Sequence, residues 1–524
     1  MIKTLMKKVL AVLISLCVIL AVAGCGDSQP DNSDIINSTD NDFSSVIETD
    51  NDTYEKDGII YVGENTKVSY ETTVKNFGDF SSESDEEAAK LRKEIIEAKD
   101  TIKAKGTTWY VSNNGDDNNE GDSPDKAWKT LNALAINEYK IKEGDAILFK
   151  RGDVFRGTFN TLSGVSYGAY GEGDKPAIYG CKTNYAEETW RRTSEENIYA
   201  LIYTASSDVG MIVFNHGEAY GNKKLKNVFE CDEDYDFYQD ADEGVIYLYS
   251  SKGKPSDVFY DIELLNNKHI ISIKSKQENV YIENLCLKYT GAHGISVGMP
   301  VKGITIKNCE IGWVGGSVFR NKTERYGNGI QFYGQTTDAI IDHCWVYQCY
   351  DAGLTHQYRG SPNGNPEMNA TNISYTNNLV EFCTYSLEYF WDWSVDGKHI
   401  ANPNVYMKDI FVENNIMRFA GYGFGLTRPD PGNTAHITTW NTAYNSNENF
   451  VVKNNIFDTS SVSLFHIRTF TNVNPIFAGN KYIQKEGGKL GQAYTNNMTE
   501  PLLSLEEVAL KTFDKNGALI IAKN

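Results

Sequence analysis

The chain has 524 residues, of which 40% are hydrophobic and 23% charged, with 50 basic against 70 acidic side chains and a formal net charge of −20. This composition is globular and excludes a collagen-like, a mainly disordered or a multi-span membrane protein. The acidic balance also argues against nucleic acid as a partner, because binding of a phosphate backbone needs concentrated Lys and Arg.

The first 24 residues have the pattern of a secretory signal, in which a basic head with three lysines precedes an apolar stretch from Val9 to Ala21. Val22-Ala23-Gly24-Cys25 follows at once and resembles the lipobox of bacterial lipoproteins. The resemblance implies that Cys25 is lipidated and becomes the new N-terminus; ordinary cleavage near a chance cysteine is the alternative. We therefore expect a lipid-anchored protein on the extracellular face of a bacterial cell membrane.

Residues 25–57 are rich in Asn, Asp, Ser and Thr and poor in apolar residues, so we expect a disordered acidic tether. Residues 58–106 are expected to be an N-terminal segment with one amphipathic helix docked on the main domain. Ser84 and Glu87 have the spacing of a capping box, and apolar residues then recur every three or four positions, at Ala88, Leu91, Ile95, Ala98 and Ile102.

A repeat indicates the architecture of the main domain. Six segments share a template of alternating β-branched residues, a polar residue and then Asn or His, at Asn284, Asn308, His343, Asn377, Asn414 and Asn454. A second short strand follows the corner at 294–297, 329–332, 353–355, 386–389 and 423–426. Such spacing is typical of a solenoid, and two or three strands per turn predict an all-β, right-handed parallel β-helix. Asn suits the corner because it tolerates left-handed backbone and can bond the Asn one coil away.

The β-helix is predicted over residues 107–485, followed by a C-terminal cap over 486–524. The period breaks at about 186–262, where we expect a small β-rich insertion. An acidic run from Asp232 to Glu243 has no basic partner and no EF-hand spacing, which favours a solvated loop over a calcium site. The cysteines after Cys25 match no disulfide or zinc template, so most should be small buried apolar side chains.

Segments 107–134, 143–159 and 165–180 resemble the N-terminal cap of secreted, pectate-lyase-like parallel β-helix enzymes that act on carbohydrate. The runs RYGNGIQFYG (325–334), CYDAGLTHQ (349–357) and YSLEYFWDW (385–393) resemble glycoside hydrolase family 141, whose known members act on fucosylated pectin or on xylan. The resemblance covers residues 107 to about 485. It implies a glycosidase that acts on a plant-type polysaccharide or its side chains, and no cofactor is implied. We expect the protein to be a monomer.

Outward-facing rows of a β-helix suit an extended polymer, because successive rungs lie about 4.8 Å apart. With Ile330, Leu354, Leu387, Phe424 and Leu464 inward, the predicted outward row is Gln331, Thr355, Glu388, Gly425 and Phe465. Glycoside hydrolysis needs two carboxyl groups, separated by about 5 Å for retention of configuration or roughly 6.5 to 9.5 Å for inversion. The candidate catalytic residues are Asp351, Asp392 and Glu388.

The candidate substrate-binding residues cluster around this row: Asn328, Gln331, His356, Gln357, Trp391, Trp393, Arg428 and Arg468. The tryptophans are candidate sugar-stacking platforms, and the arginines could bind a carboxylated sugar or hold an Asp ionised. Structural alternatives exist: Asp351 could cap a turn, Glu388 could be a solvated charge, and the tryptophans could pack under the insertion. A slip of one residue would also send a side chain to the other face.

Two other functions compete with the hydrolase. A β-helix polysaccharide lyase would use Lys or Arg as base and usually calcium, and Arg428 keeps that alternative open although the motif strands hold no Lys. A non-catalytic surface protein that binds glycans is the second, because a fold alone implies no chemistry.

Overall fold

The computed structural model describes residues 53–56, 59–62, 82–205, 207–320, 323–360, 368–395, 398–399, 404–428, 433–439, 446–467, 475–494, 501–504, 514 and 516–522. The predicted signal segment, the lipidation site Cys25 and the tether up to residue 52 lie outside these residues. Within them, no helix combines the length and the apolar character that crossing a bilayer requires.

Three long sheets run along the main domain, and we name them sheets A, B and C. Sheet A pairs Val154–Arg156, Ala177–Tyr179, Cys286–Thr290, Glu310–Val314, Trp345–Cys349, Leu379–Glu381, Ile416–Ala420, Ile456–Ser460, Lys481–Lys485, Ala518–Ala522, Ile59–Val62 and Thr53–Lys56, neighbour by neighbour. Sheet B pairs Thr108–Val111, Ala146–Lys150, Ser166–Tyr170, Glu278–Glu283, Val301–Lys307, Thr336–Asp342, Met368–Thr376, Val405–Glu413, Ser446–Lys453 and Ile476–Ala478. Sheet C pairs Phe159–Asn160, Ile271–Ile273, Ile295–Val297, Ile330–Tyr333, Ala352–Gly360, Tyr385–Val395, Ala435–Thr439, Ser463–Ile467, Lys489–Tyr494 and Pro501–Ser504, and Lys398–His399 pairs with Tyr385–Val395.

Each full coil contributes one strand to every sheet, in the order B, A, C. Thr336–Asp342, Trp345–Cys349 and Ala352–Gly360 form one such coil, and each pairs in parallel with the matching strand of the next coil. This arrangement confirms the predicted parallel β-helix and sets the number of strands per coil at three. The antiparallel pairings of the described residues lie at the ends of the sheets or outside the three-strand coils, as Ser317–Arg320 with Glu324–Tyr326 does.

The corner between sheets B and A has left-handed backbone at all six template positions, with φ between 50° and 58°. The side-chain ladder, however, lies one residue further along. Asn415 accepts hydrogen bonds at Oδ1 from the backbone N and from Nδ2 of Asn378, both across 2.9 Å, and Asn455 receives the same pair from Asn415. Asn480 continues the row, and Asp514 ends it as acceptor. The template residues with left-handed backbone are not part of this buried row. The prediction of an Asn ladder between coils was therefore right, but the ladder is formed by the residue that follows each template position.

The coil interior is filled by aliphatic and aromatic side chains from all three sheets. Cys309 and Cys344 occupy the inward position that Asn takes in later coils. The seven cysteines of the described residues are all buried and form no disulfide, in line with the prediction that most are small buried side chains.

A helix from Asp85 to Ile96 packs on the outer face of sheet A through Ala88, Leu91 and Ile95. It ends before Ala98, and the predicted capping box does not form, because Ser84 directs its hydroxyl to Asp458 instead. Two further short α-helices are Asn132–Ile136 and Pro255–Val258. The 3₁₀ turns are Pro124–Lys126, Glu138–Lys140, Tyr185–Glu187, Asn215–Gly217, Val228–Glu230 and Phe424–Thr427.

Buried ion pairs join this helix to the solenoid. Arg418 contacts Asp85 of the helix and also Glu381, the latter across 3.1 Å. Arg92 reaches the same Glu381 from the helix across 2.8 Å. Asp458 lies beside Arg418, so three carboxylates share two guanidinium groups in this cluster.

Residues 191–249 form a five-stranded sheet of Asn222–Lys224, Asp236–Asp240, Val245–Tyr249, Ile198–Ile202 and Arg191–Arg192. Val209–Phe214 lies between Ala219–Tyr220 and Ile262–Asn266 in a separate three-stranded sheet. The prediction that the acidic run has no basic partner is wrong, since Lys224 lies 3.0 Å from the buried Asp236. No cluster of His, Cys, Asp and Glu suited to a metal ion occurs among the described residues.

The tether prediction fails at its C-terminal end. Thr53–Lys56 is a strand that pairs with Ile59–Val62, which in turn pairs in parallel with Ala518–Ala522 at the end of sheet A. This hairpin extends sheet A past Ala518–Ala522, so Thr53–Lys56 is the last strand of the sheet among the described residues.

Candidate active site

The outer face of sheet C carries a row of polar side chains, one from each coil. Strand register places Ile330, Leu354 and Leu387 side by side facing inward, so Gln331, Thr355 and Glu388 align on the outside. This part of the predicted row is confirmed by the register. We call the outward residues Ser272, Ser296, Gln331, Thr355, Glu388, Thr438 and His466 the cleft row.

The prediction was wrong for the last two residues of the row. Thr438 and His466 take the places expected for Gly425 and Phe465, because Ile437 and Phe465 are the inward residues of their strands. In that coil the chain first forms the 3₁₀ turn Phe424–Thr427, and the strand of sheet C begins only at Ala435. Phe424 packs outside the coil against Trp313, with ring centroids 5.9 Å apart.

Glu388 is the carboxylate at the centre of the cleft row. Its side chain is only 6% exposed although it stands on the outward face, so the alternative of a solvated charge is excluded. Thr355 on one side donates from its hydroxyl to Oε2 of Glu388 across 3.5 Å. Thr438 lies on the other side, with its hydroxyl 3.2 Å from Nδ1 of His466. The row therefore surrounds one shielded carboxylate with hydroxyl groups.

Asp351 lies at the corner between sheets A and C, where its backbone N donates to the carbonyl of Gly327. Nη1 of Arg428 donates to Oδ1 of Asp351 across 2.6 Å, and both side chains are partly exposed. The guanidinium also lies 5.4 Å and 5.5 Å from the ring centroids of Tyr350 and Tyr385. The structure thus joins two sequence-predicted residues that lie 77 positions apart in the chain.

Register decides which carboxyl pairs are geometrically feasible. Asp351 precedes Ala352, the partner of Tyr385, whereas Asp392 pairs with Arg359 at the far end of the same two strands. At about 3.3 Å per residue, the backbones of Asp351 and Asp392 are roughly 25 Å apart, which no pair of side chains closes to 9.5 Å. Glu388 lies about midway, roughly 13 Å from each, so converging side chains can reach the inverting distance. Every feasible pair therefore contains Glu388.

Two predicted binding residues point into the coil and cannot contact a polymer outside it. Trp391 is 1% exposed, and its Nε1 donates to the carbonyl of Met368 across 2.9 Å. His356 is buried, stacks on Phe332 at 5.3 Å, and has Nδ1 3.2 Å from the hydroxyl of Tyr375. Burial lowers the pKa of His356 to about 3, so the ring is neutral. Both predictions were wrong because alternation along each strand sends these positions to the inner face.

Asn328 is also a structural residue rather than an exposed binding group. Its side-chain oxygen accepts from the backbone N of Ala352, and its own backbone N donates to Nδ1 of His293, both across 2.9 Å. His293 in turn donates its backbone N to Nδ1 of His269, and the two rings stack with centroids 4.8 Å apart. A signal for this ladder was present in the sequence, because each of the three residues precedes an inward Ile of sheet C by two positions.

Gln331 and Gln357 are partly exposed on the outer face, as expected for groups that contact substrate. Tyr333 shares the row of Gln357 and is 36% exposed, so it is an exposed aromatic ring near the cleft row that sequence reasoning missed. The sequence could have indicated this, because Tyr333 follows Gln331 by two positions and therefore lies on the same face of the strand. The side chains of Asp392 and Trp393, and the whole of Arg468, lie outside the described residues.

No protein-family model and no curated protein matches the sequence. Among solved structures, one described as a glycoside hydrolase has a TM-score of 0.46 at 10% identity, over 80% of this chain and 97% of that chain. The complex of XylC with xylose has a TM-score of 0.39 at 12% identity, over 79% and 83%. Pectate lyase Pel9A has a TM-score of 0.34 at 12% identity, over 75% and 77%. One of these three structures is thus described as a glycoside hydrolase and one as a pectate lyase.

Proposed function

We propose that the protein is a glycoside hydrolase that cleaves a plant-type polysaccharide, xylan or pectin, or its side chains. The observation that carries the proposal is the position of Glu388, a carboxylate shielded from water at the centre of an outward row of hydroxyl and amide groups. A protected carboxyl beside the partly exposed Gln331 suits the transfer of a proton to a glycosidic oxygen.

In this proposal Glu388 is the general acid, because every feasible carboxyl pair contains it. Asp351 is the general base that activates water, and Arg428 orients its carboxylate. Asp392 remains the alternative partner of Glu388 on the opposite side. Either pair, with backbones roughly 13 Å apart, fits an inverting mechanism better than a retaining one, and no cofactor takes part.

A lyase is the second candidate, and Arg428 is the residue that could serve it. A lyase base must take a proton from the carbon next to a uronate carboxyl, so it must start without one. Arg428 instead donates to Asp351 across 2.6 Å, an arrangement that favours the charged guanidinium. This contact supports the hydrolase over the lyase.

The experiment uses the full chain and a panel of arabinoxylan, rhamnogalacturonan, polygalacturonate and alginate. Release of reducing sugar without ultraviolet absorbance of a 4,5-unsaturated uronate supports the hydrolase. Appearance of that absorbance overturns it in favour of the lyase. Binding without release of any product would favour a non-catalytic surface protein.

The cellular setting is a separate proposal: Cys25 carries the lipid, and the enzyme acts as a monomer on the outside of the cell membrane. Cys25→Ser should move the protein from the membrane fraction to the soluble fraction. Retention of that variant in the membrane fraction would contradict the anchor.

A further inference from the structure

The outer face of sheet B carries a groove of about 400 Å³ that lies on a different sheet from the cleft row. Four successive coils contribute to it, through Asn279 and Tyr281, Thr305, Asp338 and Ile340, and Ser374. Because sheets B and C are separate sheets, with Glu388 on sheet C, a ligand in this groove does not cover the cleft row.

One side of the groove is a row of short polar residues in left-handed backbone. Asn279, Gly303, Asp338 and Asn372 occupy this row with φ between 55° and 68°. Asn372 donates from Nδ2 to Oδ1 of Asp338 across 2.7 Å, which fixes both side chains. At Gly303 a Cβ would lie 2.6 Å from Oδ1 of Asn279, so the missing side chain keeps the groove open.

The floor is a second row, in which Tyr281, Thr305, Ile340 and Ser374 are register neighbours. Ile340 is 45% exposed, so the floor presents apolar surface to water. Apolar surface beside amide and carboxylate groups at one-rung intervals matches a sugar chain, whose ring faces are apolar and whose rim carries hydroxyl groups.

The charge of the residues that line the groove indicates which class of sugar chain it can bind. Among the residues that line the groove, Asp338 is the one charged side chain, and no cation balances it there. A polyuronate would bring its carboxylates beside Asp338 without compensation, and this repulsion disfavours it.

We propose that this groove is a second binding site, for a neutral polysaccharide that lies along the solenoid axis. The site holds the polymer while the cleft row on sheet C stays free to act on another segment or another chain. The inference takes from the proposed function only the class of ligand, a polysaccharide.

The test is affinity electrophoresis of the full chain in native gels that contain arabinoxylan, xyloglucan, galactan or polygalacturonate. Ile340→Arg places a long cation in the groove, and Ile476→Arg is its matched control: Ile476 lies in the same row, is 60% exposed and stands outside the groove. We expect retardation by at least one neutral polymer, a loss of at least about tenfold in affinity in Ile340→Arg, and wild-type affinity in Ile476→Arg. If Ile340→Arg has a lower melting temperature than wild type, Ser374→Lys serves as a second variant in which a long side chain fills the groove.

Glu388→Gln separates this inference from the hydrolase. Retardation that persists in Glu388→Gln and is lost in Ile340→Arg supports the groove, whether or not any polymer is cleaved. If the wild-type chain cleaves polymer while Ile340→Arg and Ser374→Lys bind as tightly as wild type, the groove is overturned and the hydrolase stands. Absence of retardation by every neutral polymer, or equal retardation by polygalacturonate, also overturns it.

Discussion

Arg428 holds Asp351 across 2.6 Å and thereby joins the corners of two coils at the side of the cleft row. If Asp351 acts only in the orientation that Arg428 imposes, the two side chains form one functional unit. We expect Arg428→Gln and Asp351→Asn each to lower kcat by about 10²-fold or more, and the double variant to be hardly slower than Asp351→Asn. Steady-state kinetics of the four proteins measures this coupling. Additive losses would show that Arg428 acts on the substrate by itself.

Replacement of Glu388 by Gln should be the most damaging change in the cleft row. The amide keeps the shape and the bond with Thr355 but cannot supply a proton, so kcat should fall by about 10²- to 10⁴-fold with little change in the melting temperature. Glu172→Gln, at an exposed position outside the cleft row, is the control that removes the same charge elsewhere. Near-normal activity of Glu388→Gln would remove this residue from the mechanism.

His356 should influence stability in acid rather than catalysis. Its pKa is about 3 in the folded chain against an ordinary value of 6.5, because burial disfavours the charged ring. Below pH 6.5 the unfolded chain takes up a proton that the folded chain does not, so this contribution to stability falls as the pH drops from 6.5 towards 3. His356→Phe should lose less melting temperature between pH 7 and pH 4 than wild type, with KM unchanged. A raised KM would restore His356 as a substrate contact.

Asp85 should make docking of the N-terminal helix weaker as the pH rises. Burial raises its pKa to about 6, against the opposing effect of Arg418, so the folded chain holds a proton between pH 3.8 and 6 that the unfolded chain has lost. This contribution therefore falls by up to about 3 kcal/mol as the pH rises through that window.

Asp85→Asn keeps the volume and an acceptor for Arg418 while removing this titration. The melting temperature of the variant minus that of the wild type should therefore be larger at pH 7 than at pH 4. Glu86→Gln, which is exposed on the same helix, is the control. An identical pH profile for Asp85→Asn and wild type would contradict the assignment.

The buried Asn ladder should be costly to interrupt. Asn415 accepts from Asn378 and donates to Asn455 and to the carbonyl of Tyr375, so Asn415→Ala leaves several buried polar groups without partners. At about 1 to 3 kcal/mol for each such group, the midpoint of denaturation should fall clearly. Asn414→Gly, at the adjacent left-handed position, should change it by much less. Equal effects of the two changes would mean that the ladder contributes no more than the corner.

Much of the fold was predictable because it depends on alternation and on left-handed corners, which are local properties of the sequence. Gln331, Thr355 and Glu388 aligned correctly because each follows an inward aliphatic residue of its strand. The prediction failed where a coil departs from the repeat, as at Phe424, whose aromatic partners come from the insertion and from other coils.

The site was harder to predict than the fold because its geometry depends on strand length. Asp351 and Asp392 look like neighbours in two short motifs, yet strands that continue to Gly360 and Val395 separate them. Similarly, His356 and Trp391 have residue types common in sugar-binding sites, and their burial follows only from an alternation that persists through the whole strand. Contacts such as Arg428 with Asp351 need the register of three coils, which no local pattern contains.

The row of buried asparagines also bears on how such a protein could change in size during evolution. Each Asn bonds the same atoms of the next coil, whatever the length of the excursion between sheets C and B. A gene duplication or deletion that spans one whole coil would restore every link, whereas one that spans part of a coil would break the row. The solenoid can therefore be lengthened or shortened in complete turns beyond Asn455, and Thr355 and Thr438 would stay beside Glu388.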